Sequence, residues 1–361
     1  MTIQFLKSIM RIPSCSGHED LVQGFVMQWA KNNGVQCSED GKGNLYLTKG
    51  SSEWYPCVAA HMDTVFDEQA EYIKLKKPLP IKIDGDRMYV DADTGIGADD
   101  KAGVAICLDA MSKLPACKAV FFVEEEREMR GSRQLDPSFF EDVSYCIAWD
   151  SPGWNRATKA LAGVELFSQD FFERFIKPVA DRFGVTNFRR EPYSDMYHVV
   201  KKTGTTCMNF SNGGYNPHER SEYLLVSETM KASEFCLALI AAIPADRKYG
   251  QGLRAEEDVH EYGDRKLVRP GSAGLTLEFD TLEQVADYWQ TLAGKRVEIY
   301  AKETRREGHE LGDATVKIAG ERREIEKAYT LFFNLVDGCD YETYEKLLAD
   351  GNEAPEFIAL Y

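Results

Sequence analysis

The chain has 361 residues, enough for two domains, and one of them can be large. Its formal charge of -16, with no Lys/Arg run of the length that binds phosphate, excludes nucleic acid and an anionic membrane surface as partners. Nine cysteines lie scattered without a CxxC pair, and Cys57, Cys107, Cys146, Cys207 and Cys236 sit in apolar stretches, which argues against a disulfide framework and a cysteine zinc site.

The N-terminal segment lacks a long apolar stretch with a cleavage pattern, and no apolar run approaches membrane-spanning length, so a soluble cytosolic protein is expected. Along the chain, residues 19–31 read as a helix stopped by Gly34, and residues 44–47 and 57–60 as strands. Residues 81–91, with Asp84-Gly85 between apolar runs, read as a hairpin. A helix over 100–114 ends before Pro115, and strands at 118–123 and 145–149 follow. A helix over 168–183, a strand at 205–210 and a helix over 228–243 complete the alternation. This rhythm predicts an α/β fold, a mixed, largely parallel sheet flanked by helices.

After Pro244 the texture turns polar. We therefore expect a first domain over 1–245, a linker over 246–269 and a small α+β domain over 270–361. In that tail, 274–279, 297–301 and 315–318 read as strands, and 282–292, 322–336 and 341–348 as helices. It carries neither a chemical motif nor a repeat.

Five polar clusters stand out against the apolar strands: Ala60-His61-Met62-Asp63, Gly97-Ala98-Asp99-Asp100-Lys101, Glu124-Glu125-Glu126, Trp149-Asp150-Ser151 and Asn216-Pro217-His218-Glu219. Four follow predicted strands directly or after a short loop, and one opens a helix. In an open α/β sheet the carboxyl ends of parallel strands form one rim, where ligand crevices occur. Two divalent cations about 3.5–4 Å apart need a bridging carboxylate and imidazole and carboxylate ligands on each side. Asp63, two residues after His61, is placed to orient the imidazole through its second ring nitrogen. Glu125 and Glu126 alternate in direction, so one can face metal and the other an attacking water.

Each cluster also has a plain reading. Asp99-Asp100 can cap a helix, the acidic run can be a solvated loop, Asp150 can start a turn before Pro152, and His218 can be a loop residue after Pro217. His198, His260 and His309 read as structural residues, and His18 as a first-turn helix residue. The plain readings together require five separate coincidences at strand ends, each with a metal-compatible residue type.

The sequences AHMDTV, TGIGADDKAGVA and FFVEEE, with the opening IPSCSGHE, resemble the co-catalytic di-zinc exopeptidases, in particular peptidase T-like tripeptidases and related zinc aminopeptidases, over roughly residues 1–243. The resemblance implies that Asp99 bridges two zinc ions, with cobalt or manganese as alternatives. His61 and Asp150 would complete one, and Glu126 and His218 the other. It implies Glu125 as the catalytic acid/base and Asp63 as its companion that orients His61. An Asp rather than a Glu at position 150 accompanies aminopeptidases in this group, which implies attack at the N-terminal peptide bond of short peptides by a zinc-bridging hydroxide. Hydrolysis of a C-terminal or N-acyl amide bond uses the same ligands and stays open, as does a degenerate relative that only binds.

Two departures are visible. Glu128 stands where the family has Gly after the glutamate pair, and the interval from Asp150 to His218 is too short for the tripeptidase lid domain. It resembles instead relatives without that lid, whose Ser-Asp segment matches Tyr193-Ser194-Asp195-Met196 and implies substrate contacts from Ser194 and Asp195. A helix N-cap at Ser194, with Asp195 in the first turn, is the competing reading. Homo-oligomerisation is compatible with the sequence and not fixed by it.

Overall fold

The computed structural model describes residues 1–162, 164–191 and 193–250, and beyond them the strands Val259–Tyr262, Arg265–Val268, Val297–Thr304, Asp313–Gly320 and Ile358–Leu360. The chain divides into two compact units. One comprises Met1–Leu161 and Glu165–Leu253, the other Ala162–Val164 and Arg254–Tyr361.

The first unit begins with helices α1 (Ile3–Met10) and α2 (Asp20–Asn32), then strands β1 (Gln36–Glu39), β2 (Leu45–Lys49) and β3 (Tyr55–His61). Helix α3 (Gln69–Lys74) and strands β4 (Ile81–Asp84) and β5 (Arg87–Val90) precede helix α4 (Ala98–Lys113). Then come β6 (Cys117–Phe122), β7 (Val143–Ser151), β8 (Arg156–Leu161) and β9 (Val164–Glu165). Short helix α5 (Gln169–Phe171) passes through a π-helical turn at Phe172–Ile176 into α6 (Lys177–Phe183). Strand β10 (Asn187–Glu191), helix α7 (Met196–Thr203), strands β11 (Cys207–Ser211), β12 (Gly214–Tyr215) and β13 (Tyr223–Leu225), and helix α8 (Val226–Ala242) close the unit.

The main sheet has nine strands in the order β1-β2-β6-β3-β7-β11-β8-β10, with β9 paired to β8. Its centre, β6-β3-β7-β11, is parallel throughout. Those strands are the apolar runs CKAVFF, YPCVAAH, VSYCIAWDS and CMNFS, buried along almost their whole length, as a sheet covered on both faces requires. The strands absent from the sequence reading, β1, β8, β9 and β10, lie at or beside an edge, where polar residues such as those of NFRRE replace the apolar signal. A separate antiparallel sheet, β12-β13-β5-β4, contains the expected hairpin.

Helix α4 is buried from Ala98 to Met111 apart from Asp99, and its small residues let it sit against the sheet centre. On the same face, α8 brings Phe235 against Trp149 of β7 and Phe210 of β11, with ring centroids 5.8 and 4.9 Å away, and all three rings are buried. Every described cysteine is free, and all but Cys37 are buried. Among the described residues no helix is long and apolar enough to cross a membrane.

Two local expectations are corrected. His18 lies in the turn before α2, bridged to Cys15, because the helix starts only at Asp20. Helix α7 starts at Met196, one residue later than capping by Ser194 predicts, with Asp195 at the N-cap. The polar stretch expected as a linker contains the antiparallel pair β14 (Val259–Tyr262) and β15 (Arg265–Val268). Beyond it, β16 (Val297–Thr304), β17 (Asp313–Gly320) and β18 (Ile358–Leu360) form a three-stranded sheet. The strand expected at 274–279 and the helices expected over 282–292, 322–336 and 341–348, with His309, lie outside the described residues.

Truncating Phe235 to Ala removes the ring that fills the space under β7 and β11. Urea unfolding should show a loss of about 3–5 kcal/mol. A loss below about 1 kcal/mol would mean that this ring is not part of the core that supports the rim.

Candidate metal centre

Because β3, β6, β7 and β11 are parallel, their carboxyl ends share one rim, and the polar clusters converge there. His61 is the last residue of β3, Glu124 to Glu126 follow β6, and Asp150 is the penultimate residue of β7. Asp99 lies in the first turn of α4, joined to Asp100 by a cis peptide bond, and His218 lies in the loop after β12.

Asp99 turns one carboxylate oxygen toward each imidazole. Its Oδ1 is 3.1 Å from His61 Nε2, and its Oδ2 is 3.4 Å from His218 Nε2. His61 Nε2 is also 3.7 Å from Asp150 Oδ1, and His218 Nε2 is 3.1 Å from Glu126 Oε1. Two adjoining donor sets result, sharing Asp99. Zinc bonds of about 2.0–2.2 Å put neighbouring donors of a tetrahedron roughly 3.3–3.6 Å apart, close to this spacing. Among the described residues, His61, Asp99 and Glu126 offer ligand atoms that all lie within 4.8 Å of one another.

Asp63 does more than the sequence suggests. It faces His61 Nδ1 at 3.3 Å, and its two oxygens accept from the backbone N–H groups of Glu125 (2.9 Å) and Glu126 (3.1 Å). Ser16 Oγ donates to it at 2.7 Å. One buried carboxylate thus orients both the imidazole and the glutamate pair, and Glu19 accepts from Glu124 N on the other side of that loop. Glu128 has φ of 63°, a left-handed backbone, and its side chain is exposed.

The charges do not balance within the protein. Burial raises the pKa of Glu125 well above the carboxylate range, with Asp150, Asp195 and Glu126 adding to it, and raises Asp150 to about 7 and Asp195 to about 8. Burial also opposes charge on the imidazoles. The surrounding carboxylates outweigh it, raising His61 well above its usual value through Asp150, Asp63 and Asp99, and His218 to about 11 through Asp99 and Glu126. Acidic groups crowded around two imidazoles call for cations, and all these donor types suit zinc.

Several supporting residues carry no signal in the sequence beyond being polar within apolar surroundings. Asp100 is fully buried and accepts from Gly103 N at 3.0 Å and Asn212 Nδ2 at 3.2 Å, with His61 N at 3.4 Å from its other oxygen. Gly103 leaves room for it, since a Cβ there would lie 2.3 Å from Asp100 Oδ1. Asn209, inside strand CMNFS, accepts from Asp150 N at 2.9 Å. Glu222 accepts from Gly97 N and Asp99 N. Asp195 is buried, and its Oδ1 has no hydrogen-bond partner. Ser194 is buried as well, with its Oγ 3.4 Å from Met196 N at the start of α7. The described residues from Asp150 to His218 hold β8 to β11 of the main sheet, helices α5 to α7, and β12 of the smaller antiparallel sheet.

No family model matches the chain. A [LysW]-lysine hydrolase of Deinococcus radiodurans is 24% identical over 173 residues, 44% of this chain and 42% of that protein. A putative [LysW]-lysine/[LysW]-ornithine hydrolase of Pyrococcus abyssi is 30% identical over 164 residues, 45% of this chain and 43% of that protein. The chain thus matches less than half the length of either curated relative. The aminopeptidase PepT of Bacillus cereus superposes with a TM-score of 0.55 at 16% identity, covering 66% of this chain and 96% of that one. The TET1 peptidase of Pyrococcus horikoshii superposes with a TM-score of 0.51 at 17% identity, covering 66% and 98%. The nine-stranded sheet and its flanking helices therefore share the fold of the PepT aminopeptidase and the TET1 peptidase.

Proposed function

We propose that the chain is a metal-dependent exopeptidase that hydrolyses the N-terminal peptide bond of short peptides. The observation that carries this reading is the arrangement of Asp99, one oxygen toward each imidazole, with Asp150 behind His61 and Glu126 behind His218. In this reading His61 and Asp150 would hold one zinc ion and Glu126 and His218 a second (cobalt or manganese being alternatives), with Asp99 contributing an oxygen to each set. Bound there, the metal supplies acidification of a water and polarisation of the scissile carbonyl.

The chain's own groups do the rest. Glu125, half-buried with a raised pKa, takes the proton of the attacking water and delivers it to the departing amine nitrogen. Asp63 holds the His61 ring and the backbone of Glu125 in register, so base and imidazole keep one relative position. The free oxygen of Asp195 receives the substrate's terminal ammonium, and Ser194 steadies the helix start that presents it.

The two curated relatives favour a second reading, hydrolysis of the amide that holds lysine or ornithine in a conjugate. It uses the same ligands and differs in the group beyond the scissile bond. The TET1 likeness supports a homo-oligomer, since that peptidase can assemble into a tetrahedron or a large octahedral shell.

Digestion of a peptide library, read by mass spectrometry, should reveal stepwise loss of N-terminal residues that a chelator abolishes and zinc restores. Cleavage confined to N-blocked or lysine-conjugated substrates would favour the second reading. The Glu125→Gln variant should retain its metal and lose about 10²–10⁴-fold in kcat; full activity would sink the assignment. Replacing Asp195 by Asn should raise KM for free-amine peptides roughly 10–100-fold, the equivalent of one charged hydrogen bond, with little effect on metal content. An unchanged KM would remove Asp195 from the substrate site.

A further inference from the structure

Glu222 sits in His218-Glu219-Arg220-Ser221-Glu222, a run of charged and polar residues that reads as a solvated loop. In the folded protein Glu219 and Arg220 are exposed, whereas Glu222 is only 2% exposed. Its two oxygens accept from Gly97 N at 2.6 Å and Asp99 N at 3.1 Å. These are the donors at the start of α4, where no local side chain caps the helix.

The turn that receives these bonds has little freedom. Gly97 has φ of 67°, and a Cβ there would lie 2.6 Å from Thr64 Cγ2 and 2.9 Å from Lys101 Cε. Lys101, fully buried in the same first turn, donates through Nζ to Ile12 O at 2.9 Å and to Met10 O at 3.3 Å. The segment carrying Asp99 is thus held to the N-terminal segment by Lys101 and to the His218 loop by Glu222. That loop is itself closed by backbone bonds from Glu219 N to Asn216 O and from Glu222 N to Glu219 O.

We infer that Glu222 is a positioning residue that sets the spacing between Asp99 and His218, and with it the affinity of the donor set those residues share with Glu126. One short loop supplies His218 at one end and, four residues later, the carboxylate that holds the backbone of Asp99. Any shift of the loop moves both together, so the 3.4 Å approach of His218 Nε2 to Asp99 Oδ2 survives loop motion. Without the Glu222 bonds the two move independently. The inference rests on the proposed reading of these side chains as metal ligands.

The test is a zinc titration of metal-stripped protein against a chromophoric chelator. It uses the wild type, Glu222→Gln, Glu222→Asp and, as a control on the same loop, Glu219→Gln. It is joined by the visible spectrum of the cobalt-loaded forms, the thermal midpoint of the metal-free forms, and kcat and KM on a peptide. Glu222→Gln should weaken one of the two zinc equivalents roughly 10–100-fold, the range for a group that orients a ligand. It should change the cobalt spectrum and lower kcat with KM nearly constant, and excess zinc should recover part of the activity. Glu219→Gln should match the wild type. A lowered thermal midpoint with wild-type zinc affinity and cobalt spectrum would overturn the inference, leaving Glu222 a stabilising cap. If Glu222→Gln does not fold, wild-type zinc affinity in Glu222→Asp overturns it equally. A wild type that binds zinc but cleaves nothing refutes the functional proposal while the zinc titration still decides this one; a wild type that binds no zinc refutes both.

Discussion

The two-sided approach of Asp99 to His61 and His218 is the interaction around which the rim is organised. A carboxylate shared between two imidazoles must have its backbone fixed from more than one direction, because a shift toward one partner is a shift away from the other. Three elements supply that fixing: the first turn of α4, the N-terminal segment through Lys101, and the His218 loop through Glu222. Lys101 and Glu222, both buried, meet backbone carbonyls and backbone N–H groups respectively, so neither leaves its polar atoms unsatisfied.

The acids of the rim divide by what they touch. Asp63 and Asp100 spend their oxygens on backbone N–H groups, the hydroxyl of Ser16 and the amide of Asn212, with Asp63 also facing His61 Nδ1, and in doing so fix loops and that ring. Asp99, Glu126 and Asp150 direct theirs at imidazoles. Asp195 keeps one oxygen without a partner. Residues of the first kind are saturated by the protein, whereas those of the other kinds retain capacity for a ligand, and that difference is the physical basis for separating scaffold from site.

The elaborations around this core are economical. The described residues between Asp150 and His218 are taken up by strands and their covering helices. Glu128 holds a left-handed backbone although its side chain is not glycine. The cost is of the order of 1–2 kcal/mol, tolerable because the side chain points to solvent and the turn is braced by the bonds of Glu125 N and Glu126 N to Asp63.

Hydrophobic patterning in the sequence was enough to determine the central parallel strands and the long helices, because fully buried runs such as CKAVFF and YPCVAAH admit few alternatives. Chemical type and position at strand ends or a helix start marked His61, Asp99, Glu126, Asp150 and His218 as candidates, and a family resemblance added the role of Glu125. Edge strands β1 and β10, and β8 beside one, were illegible, since none carries a sustained apolar run. So were Asp100, Asn209 and Glu222, whose partners lie as far as 125 residues away. Periodicity reports whether a residue is buried. Only tertiary structure decides which backbone donor a buried carboxylate meets, and that choice separates the residues that hold the site from those that fill it.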